Sequence, residues 1–162
     1  MNKKIYENPY VIAGMSLAAI TALYFAFRSE LVKGWLKPIV GRISSPYGTR
    51  VHPVTGQTRF HNGIDLAVPT GTPIKSPMKG VVEASWYDDL NGNGIRIRHA
   101  NGFSTHYAHL DQRYVKKGDK VKKGKTIGTV GNTGRSTGSH LHLSLKDKSN
   151  NYVNPEELIY KV

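Results

Sequence analysis

From Pro38 onward the chain is interrupted by glycine, proline and Asn-Gly pairs so often that it reads as a series of short strands joined by tight turns. Most of its 17 glycines and 8 prolines fall in this part, and Asn91-Gly92, Asn93-Gly94 and Asn101-Gly102 are turn signals between β-type runs. Strands are expected near 80–87, 94–99, 103–108, 126–131 and 140–146. A one-turn helix is expected to start at Asn154-Pro155, with proline in the first helical position. The fold class is therefore all-β.

The upstream part differs in kind. Pro9 to Phe27 carries no charge and is bracketed by Lys3, Lys4 and Arg28. A membrane-spanning helix needs roughly 20 apolar residues, so the run predicts an uncleaved transmembrane helix. A cleaved signal peptide fits less well, because the run is long and ends on Phe27-Arg28 rather than on small residues. Lysines and arginines lie on both sides of the span, so charge does not set its orientation. The chain divides into a tail (1–8), a transmembrane helix (9–27), a basic linker (28–38) and a β domain (39–162).

Twenty-three Lys plus Arg against 11 Asp plus Glu give a net charge of +12, which favours anionic partners without naming one. Lysines cluster in a near-repeat, Val115-Lys116-Lys117-Gly118-Asp119 and Val121-Lys122-Lys123-Gly124-Lys125. It reads first as solvated hairpin edges that discourage strand pairing, and second as a face towards anionic polymers. No nucleic-acid motif accompanies the charge, so a specific nucleic-acid partner is not expected. The chain has no cysteine. Disulfides, thiolate metal sites and a cysteine nucleophile are excluded together, and any metal must be held by nitrogen and oxygen.

Seven histidines make such a site feasible. His61 and Asp65 stand four residues apart, a weak signal alone. In His140-Leu141-His142 the two imidazoles fall at i and i+2, on one face of a strand, while Leu141 and Leu143 point into the core. Two imidazoles side by side need partners, and zinc supplies one. A catalytic zinc takes three protein ligands and leaves a fourth position open. His61, Asp65 and one of the strand histidines furnish such a set, and the other imidazole is suited to proton transfer. His109, at the expected end of the 103–108 strand, is a further acid or transition-state donor, whereas His106 reads as structural. His52 and His99 stay outside the metal set, His52 in a turn and His99 at an exposed strand end. The run Gly131 to Gly138 lacks the ending of a phosphate-binding loop and leads into a strand.

H-x-x-x-D, then Y-A-H-L, then G-N-T-G-x-S-T-G-x-H-L-H, in that order, resembles the lysostaphin/LytM-type zinc metallopeptidases. The resemblance runs from about Gly41 to Leu158 and includes Ser45-Pro46-Tyr47-Gly48-x-Arg50 and Val153-Asn154-Pro155. It implies a compact antiparallel β domain with a groove, and one zinc held by His61, Asp65 and His142. His109 and His140 then serve catalysis, and Asn62, Tyr107 and Arg50 are candidate substrate contacts. The implied activity is hydrolysis of peptide crosslinks in bacterial peptidoglycan. Such an enzyme would be single-pass with its domain outside the cytoplasm, acting in wall remodelling, or would sit in the membrane of a phage virion and aid genome entry. A rival reading is a scaffold that binds wall peptides without cutting them.

Overall fold

The alternating leucines of His140–Lys146 sit in the hydrophobic core, where Leu141, Leu143 and Leu145 are fully buried. The computed structural model describes residues 16–32, 34–51 and 56–160. They fall into two units divided at Gly34 and Trp35.

In the first unit, α1 (Leu17–Val32) begins inside the uncharged run and continues past Phe27 through Arg28 and Glu30. Residues 9–15 of the run lie outside the described residues. Among the described residues no helix is long and apolar enough to cross a membrane.

The second unit is built from β1 (Arg42–Ser45), β2 (Gly48–Val51), β3 (Thr58–His61), β4 (Gly63–Ala67), β5 (Pro73–Lys75) and β6 (Gly80–Asp88). After these come β7 (Gly92–His99), β8 (Ser104–Arg113), β9 (Lys120–Val121), β10 (Thr126–Val130), β11 (His140–Lys146) and β12 (Tyr152–Val153). A short π-wound helix, Glu156–Tyr160, follows Pro155 where the one-turn helix is expected. The main sheet runs β1-β4-β11-β8-β7-β6-β9, with β10 joining β8 to β5 and β12 flanking β11. β2 and β3 form a separate hairpin, and every pairing is antiparallel. All five expected strands are present. β1 to β5, β9 and β12 are additional, most of them too short or too polar to show a period of two.

One side of the sheet carries the core, including Ile64, Leu66, Ile95, Ile97 and Leu110, each fully buried. Tyr107 belongs to this side and is fully buried as well, so it is a core residue and not a substrate contact. The expected linker also needs correction. Trp35 and Ile39 are buried in the core, Leu36 N donates to the Pro77 carbonyl and Lys75 N to the Pro38 carbonyl. Residues 35–38 are thus part of the β unit. Trp35 meets His99 and Phe103 edge to face, which explains why His99 is 2 % exposed rather than a surface residue. The lysine-rich near-repeat forms the turns on either side of β9, the last strand of the sheet. Val115 and Val121 anchor it and its lysines are exposed.

Candidate metal centre and catalytic groove

The side of the sheet opposite the core gathers the histidines. In the β4–β11–β8 ladder His142 lies opposite both Asp65 and Ala108, so Asp65 and His142 share a face. His61 reaches them from the end of β3, and Asn62 breaks the chain direction between β3 and β4. His61 and Asp65 therefore meet across a junction of two strands and not along one strand. Gly63 is required here: a Cβ at that position would run into the Leu143 carbonyl and the His142 ring.

His61 Nε2 lies 3.2 Å from Asp65 Oδ1 and 3.2 Å from His142 Nδ1, and His142 Nδ1 lies 2.8 Å from Asp65 Oδ1. A tetrahedral zinc with bonds of roughly 2.0–2.1 Å holds its ligands roughly 3.3–3.4 Å apart. Two edges of this nitrogen–nitrogen–oxygen triangle match that spacing closely and the third is about half an ångström short, so the donor set fits a zinc ion. The outer nitrogen of His61 is fixed too, with Nδ1 at 2.8 Å from the Pro46 carbonyl, the kind of support that orients a metal-binding imidazole. Burial works against ionisation of Asp65, yet hydrogen bonds with His142 and His61 outweigh it and hold the carboxyl well below the ordinary carboxylate range.

His140 stands beside this triad with Nε2 3.9 Å from Asp65 Oδ1, and its Nδ1 is held 2.8 Å from the Gly138 carbonyl. His109 completes the cluster, its ring centroid 4.7 Å from that of His140. Sequence placed His109 at a strand end, but β8 continues to Arg113. Ala108 faces the groove, so plain alternation would send His109 into the core. A bulge prevents this. Asn93 pairs with Leu110 and Ile95 with Tyr107, setting three residue steps of β8 against two of β7. His109 takes φ 62°, a conformation that costs a non-glycine residue roughly 1–3 kcal/mol.

Contacts from two loops hold that conformation. His109 N donates to the Asn91 carbonyl at 2.8 Å, and His109 Nδ1 lies 2.9 Å from the Thr133 carbonyl. Asp88 fixes the first loop by accepting from the backbone N of Asn91 and Leu90, the Asn91 amide and Trp86 Nε1. These bonds, led by that from Asn91 N, lower its carboxyl to about 2. Thr133 Oγ1 ties the second loop down, accepting from Asn93 N at 3.0 Å and donating to the Leu110 carbonyl at 2.7 Å. Neither Asp88 nor Thr133 stands out in the sequence, because each acts on His109 through a contact between segments distant in the chain, Asn91 with His109 and Thr133 with His109. Burial, the leading cause, pushes the His109 pKa down and so favours the neutral ring.

Thr133→Val is expected to lower turnover roughly 10- to 100-fold, because a misplacement of an ångström at a reacting group costs that much. Thr133→Ser, which keeps the hydroxyl, should restore most of the rate. Steady-state kinetics with bound metal quantified in parallel would check this, since the metal content of both variants should stay at the wild-type level.

The remaining expected contacts are dispersed. Arg50 is exposed and donates to Ser45 Oγ, which lies 3.4 Å from His61 Nδ1, so Arg50 braces the loop behind a candidate ligand. Asn62 is half-buried at the β3–β4 junction. His52 lies outside the described residues.

Residues 59–155, more than half of the chain, match Peptidase family M23. The chain belongs to this family. It is 54 % identical over 102 residues to the peptidoglycan DD-endopeptidase ShyC of Vibrio cholerae, covering 62 % of this chain and 24 % of that relative. Among solved structures it is similar to a zinc containing peptidase from Vibrio cholerae, with TM-score 0.70, 38 % identity and coverage of 75 % of this chain and 39 % of that one. It is also similar to the catalytic domain of lysostaphin from Staphylococcus simulans, with TM-score 0.62, 28 % identity and coverage of 78 % and 92 %. The chain spans about a quarter of the length of the first curated relative.

Proposed function

We propose that this M23 chain is a zinc-dependent endopeptidase that hydrolyses peptide crosslinks of peptidoglycan, with His61, Asp65 and His142 as metal ligands and His109 and His140 as catalytic residues. The observation that carries this reading is the geometry of five side chains on one face. Three form a zinc-sized donor triangle, and two further imidazoles stand beside it with their Nδ1 atoms engaged by backbone carbonyls.

Zinc held in this triangle supplies Lewis acidity, polarising a carbonyl and acidifying a water. The chain's own residues do the rest. With its Nδ1 proton given to the Gly138 carbonyl, His140 presents Nε2 to the groove as a proton acceptor and then as a donor to the leaving amine. His109, anchored through Thr133, presents the Nε2 lone pair from the other side as a second proton acceptor beside the reacting atoms. The carbonyl anchors select the tautomers, so neither ring reorganises during the reaction.

The activity is tested by incubating the chain with purified crosslinked peptidoglycan and following amine release and loss of turbidity, with and without a chelator. Release of new amines that stops on chelation and returns with zinc supports the reading. A chain that binds zinc stoichiometrically and releases no amine from any wall type overturns it.

The uncharged run 9–27 supports a second element of the proposal, attachment to a membrane with the β unit on the side of the wall. Recovery of the full chain in the soluble fraction of expressing cells would count against it.

A further inference from the structure

The face that carries the metal ligands does not end at them. Opposed residues of an antiparallel ladder share a face, and so do residues two apart on one strand. One step along from His142, Ser144 lies opposite His106 and His106 opposite Arg96. A further step pairs Lys146 with Ser104 and Ser104 with Arg98. The groove side of β11, β8 and β7 therefore leads from the candidate metal centre to three cations.

One acid, Glu83, faces them. It accepts from Arg98 Nε at 2.9 Å, and its other oxygen is 3.3 Å from Arg96 Nε but outside hydrogen-bonding alignment. Lys146 is steadied at the strand end by Asn150 and lies over the Tyr152 ring. Three cations against one carboxylate leave the strip positive. Two of its polar atoms, Arg96 Nε and His106 Nε2, are buried without a hydrogen-bond partner among the described residues. Buried polar atoms are normally satisfied, so these two call for a partner from outside the chain, a water or a ligand group. His106, pushed down to about 4 by burial and by Arg96 and Lys146, is neutral near pH 7 and available as a donor. The bland alternative, a structural ion-pair network of Glu83 with Arg96 and Arg98, accounts for the arginines but not for His106.

We propose that the strip formed by His106, Arg96 and Lys146 is a carboxylate-binding subsite of the groove, which engages a free carboxylate of the peptide substrate within about three residues of the bond that is cut. The spacing follows from the sheet. Arg96 is one row and two strands away from His142, roughly 12 Å between Cα atoms, and an extended peptide covers that in about three residues. A stem-peptide crosslink rich in carboxylates suits this groove, whereas a bridge made only of glycine gives the strip nothing to hold. The inference rests on the reading of the groove as an endopeptidase site.

Two substrates separate the inference from that reading. One is a crosslinked stem-peptide dimer with the carboxylates flanking the crosslink free, and the other is the same dimer with each converted to a primary amide. The full chain is expected to cleave the free-acid dimer with kcat/KM roughly tenfold higher, as a charge-assisted hydrogen bond provides. Arg96→Gln should erase most of that preference, lowering the rate on the free-acid dimer far more than the rate on the amide dimer. Cleavage of neither dimer would remove the endopeptidase reading itself. Equal cleavage of both by the wild type would overturn the subsite alone, and so would an Arg96→Gln loss that is equal on both substrates, since that assigns Arg96 a structural role.

Discussion

His142→Ala is expected to lose both stoichiometric zinc and about 10³-fold or more in turnover, whereas His140→Ala should keep the metal and still lose roughly 10²- to 10⁴-fold. The two histidines are neighbours on one strand face, so a general collapse of the strand would affect them alike. Their atoms are engaged differently. His142 Nδ1 is 2.8 Å from Asp65 Oδ1 and 3.2 Å from His61 Nε2, inside the donor triangle. His140 Nε2 is 3.9 Å from the same carboxylate oxygen, beyond ligand spacing but within reach of a reacting group. Metal content after dialysis, measured alongside amine release, separates the roles. If His140→Ala also loses its zinc, the assignment of ligand and catalytic base is wrong, and the site would have to bind metal through a rearranged set.

Much of this site was legible because its residues lie on a strand with a plain period of two. His140-Leu141-His142-Leu143 announces one polar and one buried face, and the structure shows that division with both leucines fully buried. What could not be read locally came from pairing. The bulge that turns His109 into the groove depends on β7 having one residue step fewer than β8, and no feature of Tyr107-Ala108-His109 reveals it. The row from Ser144 to Arg96 exists only once three strands are in register, so neither Arg96 nor His106 stood out as a groove residue. Tyr107 was misplaced for the opposite reason. Its neighbours His106 and Ala108 do face the groove, and the alternation that puts them there sends its ring into the core.

His99 was misread through the same kind of non-local contact, and it has a measurable consequence. At the end of β7 it looks solvent-facing, but Trp35 covers it from a segment that composition assigns to a linker. The ring lies 2.8 Å from Thr105 Oγ1 through Nε2 and 3.4 Å from the Lys79 carbonyl through Nδ1, an arrangement that suits the neutral imidazole. Burial, only partly opposed by hydrogen bonds that the ring donates to the Lys79 and Met78 carbonyls, pushes its pKa down to about 4. In the unfolded chain the same group titrates near 6.5. Above that pH both states hold a neutral ring and His99 adds no pH dependence. Between about 6.5 and 4 the unfolded state takes up a proton that the native state refuses, so stability falls as the pH falls. Below about 4 both states are protonated and the loss levels off at about 3 kcal/mol. His106, also depressed to about 4 by burial, acts in the same direction and window. Urea unfolding of the chelated protein, followed by tryptophan fluorescence at pH 7.5, 5.5 and 4.5, should show the midpoint dropping steadily, and His99→Gln should flatten the profile while lowering stability at pH 7.5. A midpoint that does not move across this range would mean that the Trp35 cover opens in solution and that His99 titrates as an exposed residue.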